Sequence, residues 1–203
     1  MTTKKLPLYL ENTFESIYSN FGARFGAVCL EGLFMIPLTV GVLYCNSQSL
    51  TNYYYTFVVS QLVYLVYFIY LPVRYGATPG KRLLGMTILK IDGSAIGYRE
   101  SFLKMLPMLI FALIGFLVQS YQISLADADT FSNLTWQKQS NYLRLLAPLG
   151  FYLNIGLVYV FYFANLIVFL TNDRKRSISD HLAGTVVVYS RFLEKIKELE
   201  IRE

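Results

Sequence analysis

The sequence predicts an all-α membrane protein: four transmembrane helices, short cytoplasmic interfacial helices and a small cytoplasmic β-hairpin or sheet. Three observations predict it. Hydrophobic residues make up 55% of the 203 and charged residues only 15%, with a mean hydropathy of +0.43; a water-soluble domain carries about 25% charged residues to cover its surface. Four apolar stretches approach the roughly 20 residues that span a bilayer. Sixteen of the 18 Lys and Arg residues fall in three of the five segments flanking those stretches. The whole chain, 1–203, reads as a single membrane domain. The same composition excludes a soluble domain and a disordered chain. One His and two Cys exclude most metal sites and any disulfide scaffold.

The chain opens with polar residues and no short apolar core followed by a small-residue cleavage site, so no cleavable signal peptide is expected. Asn12 and Glu15 have capping-box spacing, and Phe14, Ile17, Tyr18, Phe21 and Phe25 recur at helical spacing. The stripe predicts a helix that either lies on the inner membrane surface or packs on the bundle.

The first span, about 26–44, contains a single charge, Glu31. Arg24, Ala27 and Glu31 share one helix face, and seven residues of rise, about 10 Å, carry Glu31 below the interface. An unpaired carboxylate there costs at least about 2.5–3.5 kcal/mol. Glu31 must therefore face the interior, take a proton or meet a cation. Arg24 is the nearest, with Asp180 able to approach Arg24 from the other side. Cys29 reads as core filling, and its separation from Cys45, roughly 24 Å along a helix, exceeds the ~7 Å limit of a disulfide. Gly22-x-x-x-Gly26 permits close helix approach.

The second span, 53–73, is uncharged and bordered by interfacial tyrosines (Tyr53, Tyr54, Tyr55, Tyr70). After it, Thr78 can cap a short helix, Pro79 suits its first position and Gly85 its left-handed end, which places Lys81 and Arg82 near lipid phosphates. A P-loop is excluded here: the spacing from Gly76 is one residue short, and Arg82 stands where Ser or Thr should hold magnesium. A β-prone run from Met86 to Ile91 and a second from Thr185 to Tyr189 predict a small sheet, with Ala95 to Tyr98 as a further strand. Asp92-Gly93 marks the turn.

The third span, 102–120, is built on a short apolar run, Met105 to Gln119, which Phe102 and the snorkelling stem of Lys104 extend. The loop from Tyr121 to Asn141 reads as solvated. The fourth span, 145–170, is charge-free and places Asn154 and Asn165 on one face. Intramembrane Asn either bonds a neighbouring helix or, with Gln61, lines a polar path. Ser177 and Asp180 have capping-box spacing and Gly184 stops the turn, so the plain role of Asp180 is a cap. Residues 190–203 predict an amphipathic helix lying on the membrane or on the bundle.

The Lys and Arg distribution places both termini and the central loop in the cytoplasm, with anionic lipid as the partner of that face. Nucleic acid is excluded as a partner, since the aromatics lie in the spans rather than among the basic residues. No cofactor, metal ion or enzymatic activity is expected: no nucleophile stands in a recognisable setting, and His181 reads as a local hydrogen-bonding residue.

These pieces together resemble the RDD family of small bacterial membrane proteins. Arg24-x-x-Ala27 matches its first motif, and Thr78-Pro79-Gly80-Lys81-Arg82-Leu83-Leu84-Gly85, followed by Asp92-Gly93, its central one. Ser179-Asp180-His181-Leu182-Ala183-Gly184-Thr185-Val186-Val187 matches its closing one. Glu31 stands where the family has its first Asp, one methylene longer. The resemblance implies a bacterial inner-membrane protein, with transport, and for some members sodium–proton exchange, as the conjectured activity. Two readings follow. One is a small transporter, exchanging cations for protons and admitting a homo-oligomer, with Arg24, Glu31, Asp180, Asn154 and Asn165 as ion-coupling candidates. The other is a non-transporting module that recruits a membrane or cytoplasmic protein through its basic face.

Overall fold

The structure, a computed structural model, describes residues 6–9 and 15–201. Four helices are long and apolar enough to cross a membrane: α1 (Phe21–Gln48), α2 (Asn52–Tyr75), α4 (Tyr98–Leu125) and α7 (Pro148–Thr171). Only 6–17% of their apolar windows is buried within the chain, so most of each span presents apolar side chains outward, the arrangement that hydrocarbon rewards. Short helices α3 (Pro79–Leu83), α5 (Ala128–Ser132), α6 (Trp136–Leu146), α8 (Ile178–Ala183) and α9 (Leu193–Ile201) lie between and after them. Strands β1 (Met86–Lys90) and β2 (Thr185–Tyr189) complete the elements.

The third span is 28 residues long, well beyond its short apolar run. Its first turns carry Arg99, Glu100 and Lys104, and they stay helical because the acids and bases there find partners: Glu100 accepts from the Gly97 N–H at 2.8 Å and faces Lys90. In α2 a π turn at Val66–Tyr70 precedes Pro72. Proline cannot donate to the carbonyl four residues back, and the Leu71 N–H reaches Val66 five back instead, the widened register of a π-bulge.

The chain divides into two compact units. Unit 1 takes its residues from Met1–Phe34, Leu65–Leu106 and Phe163–Glu203, and unit 2 from Met35–Tyr64 and Pro107–Tyr162. In unit 1, β1 and β2 pair antiparallel, Ile88 opposite Val187 and Leu89 opposite Val186. Side chains alternate across a strand, so two cores form. One face packs Met86, Ile88 and Val187 with Ala27 and Ile96; the other packs Leu89, Val186 and Val188 with Ile17, Tyr18, Phe192 and Ile196. Two strands alone are marginal; cover on both faces is what stabilises them. The expected third strand reduces to a bridge between Leu89 and Ala95.

Of the helix predicted by the stripe from Phe14 to Phe25, only the part from Phe21 onward forms, as the start of α1. Its cap, Asn12, and Phe14 lie outside the described residues, and residues 15–20 run extended, with Tyr18 bridged to Val188 and the Ser19 N–H bonded to the Val187 carbonyl at 3.0 Å. The edge of β2 offers a row of backbone partners, and burying Ile17 and Tyr18 against the sheet outweighs a surface helix. The amphipathic tail resolves as a tight turn at Ser190–Phe192 followed by α9; Phe192 and Ile196 put it on the sheet. Removing the Ile196 side chain as alanine is expected to cost about 2–5 kcal/mol, measured by thermal melting in detergent. An unchanged melt would show that α9 merely lies on the sheet.

In unit 2, the segment expected to be a solvated loop folds into α5 and α6. Asp127 caps α5 by accepting from the Thr130 N–H at 2.7 Å. Phe131 is buried, and the buried Gln139 donates to the carbonyls of Ser47 and Phe131. Cys29 and Cys45 are free and exposed, so Cys29 does not fill the core. In unit 1, which contains Cys29, the buried residues of α1 are Ala27 and Glu31 instead.

Candidate functional site

Unit 1 holds two acid–base knots, each built from elements far apart in sequence. The first centres on Asp180, which is fully buried. Ser177 and Asp180 form the expected capping box of α8, each side chain bonding the other's backbone N–H. Gly184 ends the helix in the left-handed conformation, φ 65°. Asp180 also receives two cations. Arg24 Nη1 of α1 lies 2.8 Å from Oδ2, and Lys104 Nζ of α4 donates to Oδ1. Thr185 of β2 donates to Oδ1 at 3.3 Å. Arg24 is held in turn: Nε donates to Ser19 Oγ at 2.8 Å and the guanidinium sits 4.8 Å from the Phe169 ring centre. Arg176 ties the turn itself, donating to the carbonyls of Asp180 and Thr185.

Burial on its own would raise the Asp180 carboxyl, but the charges and hydrogen bonds of Lys104 and Arg24 outweigh it and hold the carboxyl far below the usual carboxylate range.

The second knot centres on Glu31, also buried. Lys81 Nζ lies 2.7 Å from Oε1, the Thr78 hydroxyl donates to the same oxygen, and Lys81 and Thr78 are 3.2 Å apart. Both partners come from the Thr78-to-Lys81 turn that starts α3. Its approach to α1 depends on Gly80. A Cβ there would lie 2.7 Å from the Ala27 carbonyl oxygen and 2.8 Å from Glu31 Cγ. Left-handed glycines flank α3, Gly76 at φ 74° and Gly85 at φ 63°. Tyr67, on the π turn, is buried and lies within electrostatic reach of Glu31 and the Gly80 amide.

The pairing therefore departs from the spacing argument. Arg24 goes to Asp180, and Glu31 to Lys81. Ser19 sits just before α1 and draws Arg24 toward the helix start, the direction in which helical side chains already lean, away from Glu31. Of the two lipid-phosphate candidates, Lys81 has its ammonium on Glu31, while the exposed Arg82 stacks over Tyr75 at 5.4 Å. Thr78 holds the cap position of α3 with extended backbone, yet its hydroxyl serves Glu31 rather than the helix. The Lys104 ammonium joins Asp180.

Asn165 accepts from the Ile178 N–H at 2.8 Å, fixing the entry to α8. Asn154 belongs to unit 2, where it lines a cavity with Gln61. Sequence reasoning missed Lys104, Ser19 and Tyr67 as site residues. Only Lys104 carried a signal, a cation at the edge of an apolar run.

Fold and site together define a four-span membrane protein with buried acid–base pairs beside a small covered sheet. A family model for the RDD family matches residues 18–184. The chain belongs to the RDD family. No curated protein and no solved structure matches it.

Proposed function

We propose that the protein is a small transporter that exchanges cations for protons, with Glu31 as the group that takes up the proton and Lys81 as its resting counter-charge. Unit 1, which contains most of the Lys and Arg residues, is assigned to the cytoplasmic side of a bacterial inner membrane. One observation carries the reading. A carboxylate inside a span is neutralised by a single lysine and a hydroxyl, both on one short helix flanked by left-handed glycines. Ionisable groups at such depth are expensive and mark ion or proton pathways by default.

In this scheme the deprotonated Glu31 holds Lys81. A proton on Glu31 cancels that attraction and leaves an unpaired ammonium in a buried place, so α3 swings outward about Gly76 and Gly85. On deprotonation, a cation competes with Lys81 for the vacated carboxylate. Asp180 is assigned a positioning role instead of that of a second titrating acid. Its carboxylate already accepts from two cations, a backbone N–H and a hydroxyl, and its carboxyl is held far too low to exchange protons near neutrality. Arg24 belongs to that clamp.

Purified protein in liposomes carrying an interior pH dye is expected to move protons when sodium or potassium is added outside, and Glu31→Gln is expected to abolish the movement. Wild-type liposomes without cation-dependent proton flux would sink the proposal. The saturated Asp180 knot favours the rival reading, a non-transporting module in which every buried charge is structural. On that reading Glu31→Gln changes stability alone, and crosslinking in native membranes captures a stoichiometric protein partner.

A further inference from the structure

Unit 2 contains a cavity of about 300 Å³ whose lining has an unusual chemistry for a membrane span. Its polar residues include the carboxamides Gln61, Gln122 and Asn154, its apolar wall includes Phe57, Phe116 and Phe151, and no Asp, Glu, Lys, Arg or His borders it. Two of the amides are incomplete. Gln122 is 4% exposed and its Nε2 donor has no partner; the Asn154 Oδ1 acceptor has none either. An unmet buried donor or acceptor costs about 1–3 kcal/mol, and both cost more where lipid, not water, surrounds the element.

We propose that this cavity binds a small uncharged solute bearing at least one hydrogen-bond acceptor and one donor beside an apolar or unsaturated face. Both atoms lie out of reach of solvent, so each amide turns on binding, Gln122 Nε2 to the solute's acceptor and Asn154 Oδ1 to its donor. The Phe57 and Phe116 rings, stacked with centroids 4.2 Å apart, cover the apolar face. An ion is disfavoured, because no lining group carries the opposite charge and a full charge in such a place is costly. Ordered water would satisfy the two amides but gains nothing from the aromatic wall. Gly115 keeps the site open: a Cβ there would lie 3.0 Å from Asn154 Nδ2 and push the amide aside. The assignment rests on unit 2 alone and stands whether or not Glu31 carries protons.

Trifluoroacetamide and trifluoroacetate have the same shape and differ in charge, so they are suitable fluorine-NMR probes for the full chain in lipid nanodiscs. The amide line is expected to broaden saturably with wild-type protein, beyond empty nanodiscs, and the acetate line is not. Gln122→Leu is expected to remove the broadening while melting no lower than wild type, because it deletes an unpaired donor. Asn154→Leu is expected to weaken binding as well. Equal broadening of the acetate, broadening that never saturates, or full broadening retained in the folded Gln122→Leu and Asn154→Leu proteins would each overturn the proposal. The wild-type contrast between the two probes decides the matter even if a variant fails to fold.

Discussion

Asp180→Asn is expected to destabilise the protein by about 3–5 kcal/mol, the range for removing one side of a buried ion pair. Asparagine keeps nearly the same shape but has one acceptor oxygen where the carboxylate has two, so it can serve the Ser177 N–H at the Oδ2 position or the Thr185 hydroxyl at Oδ1 and not both; the charge and one acceptor are lost together. Arg24 and Lys104 are then left without their acid, 15% and 23% exposed at the side chain against 1% for Asp180. At about 2–4 °C per kcal/mol for a chain of this size, the melting point drops by roughly 6–20 °C. Adding Lys104→Met to Asp180→Asn is expected to return part of the loss, since one stranded cation goes with it. A melting point unchanged in the single variant would show that the knot contributes no net stability.

The pH dependence has a definite sign. The folded carboxyl of Asp180 lies below its unfolded value of about 3.9 because Lys104 and Arg24 outweigh burial. Its contribution is fully present above the unfolded value and is lost as pH falls toward the folded one. Wild-type protein should hold its melting point from neutrality down to about pH 4 and lose stability below it. The Asp180→Asn variant should lack Asp180's share of that acid loss.

Gly80→Ala is expected to undock α3 from α1. The new Cβ meets a backbone oxygen, that of Ala27, at 2.7 Å, and a carbonyl fixed in α1 cannot move aside as a flexible side chain would. Overpacking of this kind costs about 1–3 kcal/mol. Relief comes by lifting α3, which withdraws Thr78 and Lys81 from Glu31 together. Gly85→Ala provides the contrast: nothing lies within 4 Å of its Cβ, and only the left-handed φ of 63° opposes it, about 1–2 kcal/mol. Both variants should melt lower than wild type, and Gly80→Ala alone should lose the proposed cation-dependent proton flux, as Glu31→Gln does. Equal behaviour of the two alanine variants would show that close docking of α3 is not required.

The four spans and the two paired strands were legible in the sequence because both depend on local patterns, long apolar runs and short β-branched runs between turns. The capping box at Ser177 and the left-handed glycines were legible for the same reason. The partners of the charges were not. Spacing along one helix pointed Arg24 at Glu31, but Asp180 stands 156 positions away, and no periodicity reports a contact of that range. The stretch before α1 misled in another way. Ile17, Tyr18, Phe21 and Phe25 do share helical spacing, yet the first two are core residues beside a strand and the last two belong to α1. One stripe spans two elements. Residues 121–141 looked solvated because their polar surface dominates, and the few residues that anchor them, Phe131 and Gln139, give too sparse a pattern to register.

The distances along the chain also set an order of assembly during synthesis. Glu31 meets Lys81 after 50 more residues, whereas Arg24 waits 156 for Asp180. At about 5–20 residues per second, the arginine spends roughly 8–30 s at the edge of the bilayer before its acid is translated. The stabilising carboxylate thus arrives only after all four spans have been made, together with the strand that closes the sheet. A nascent chain halted before α8 would carry Arg24 and Lys104 without the acid that pairs them.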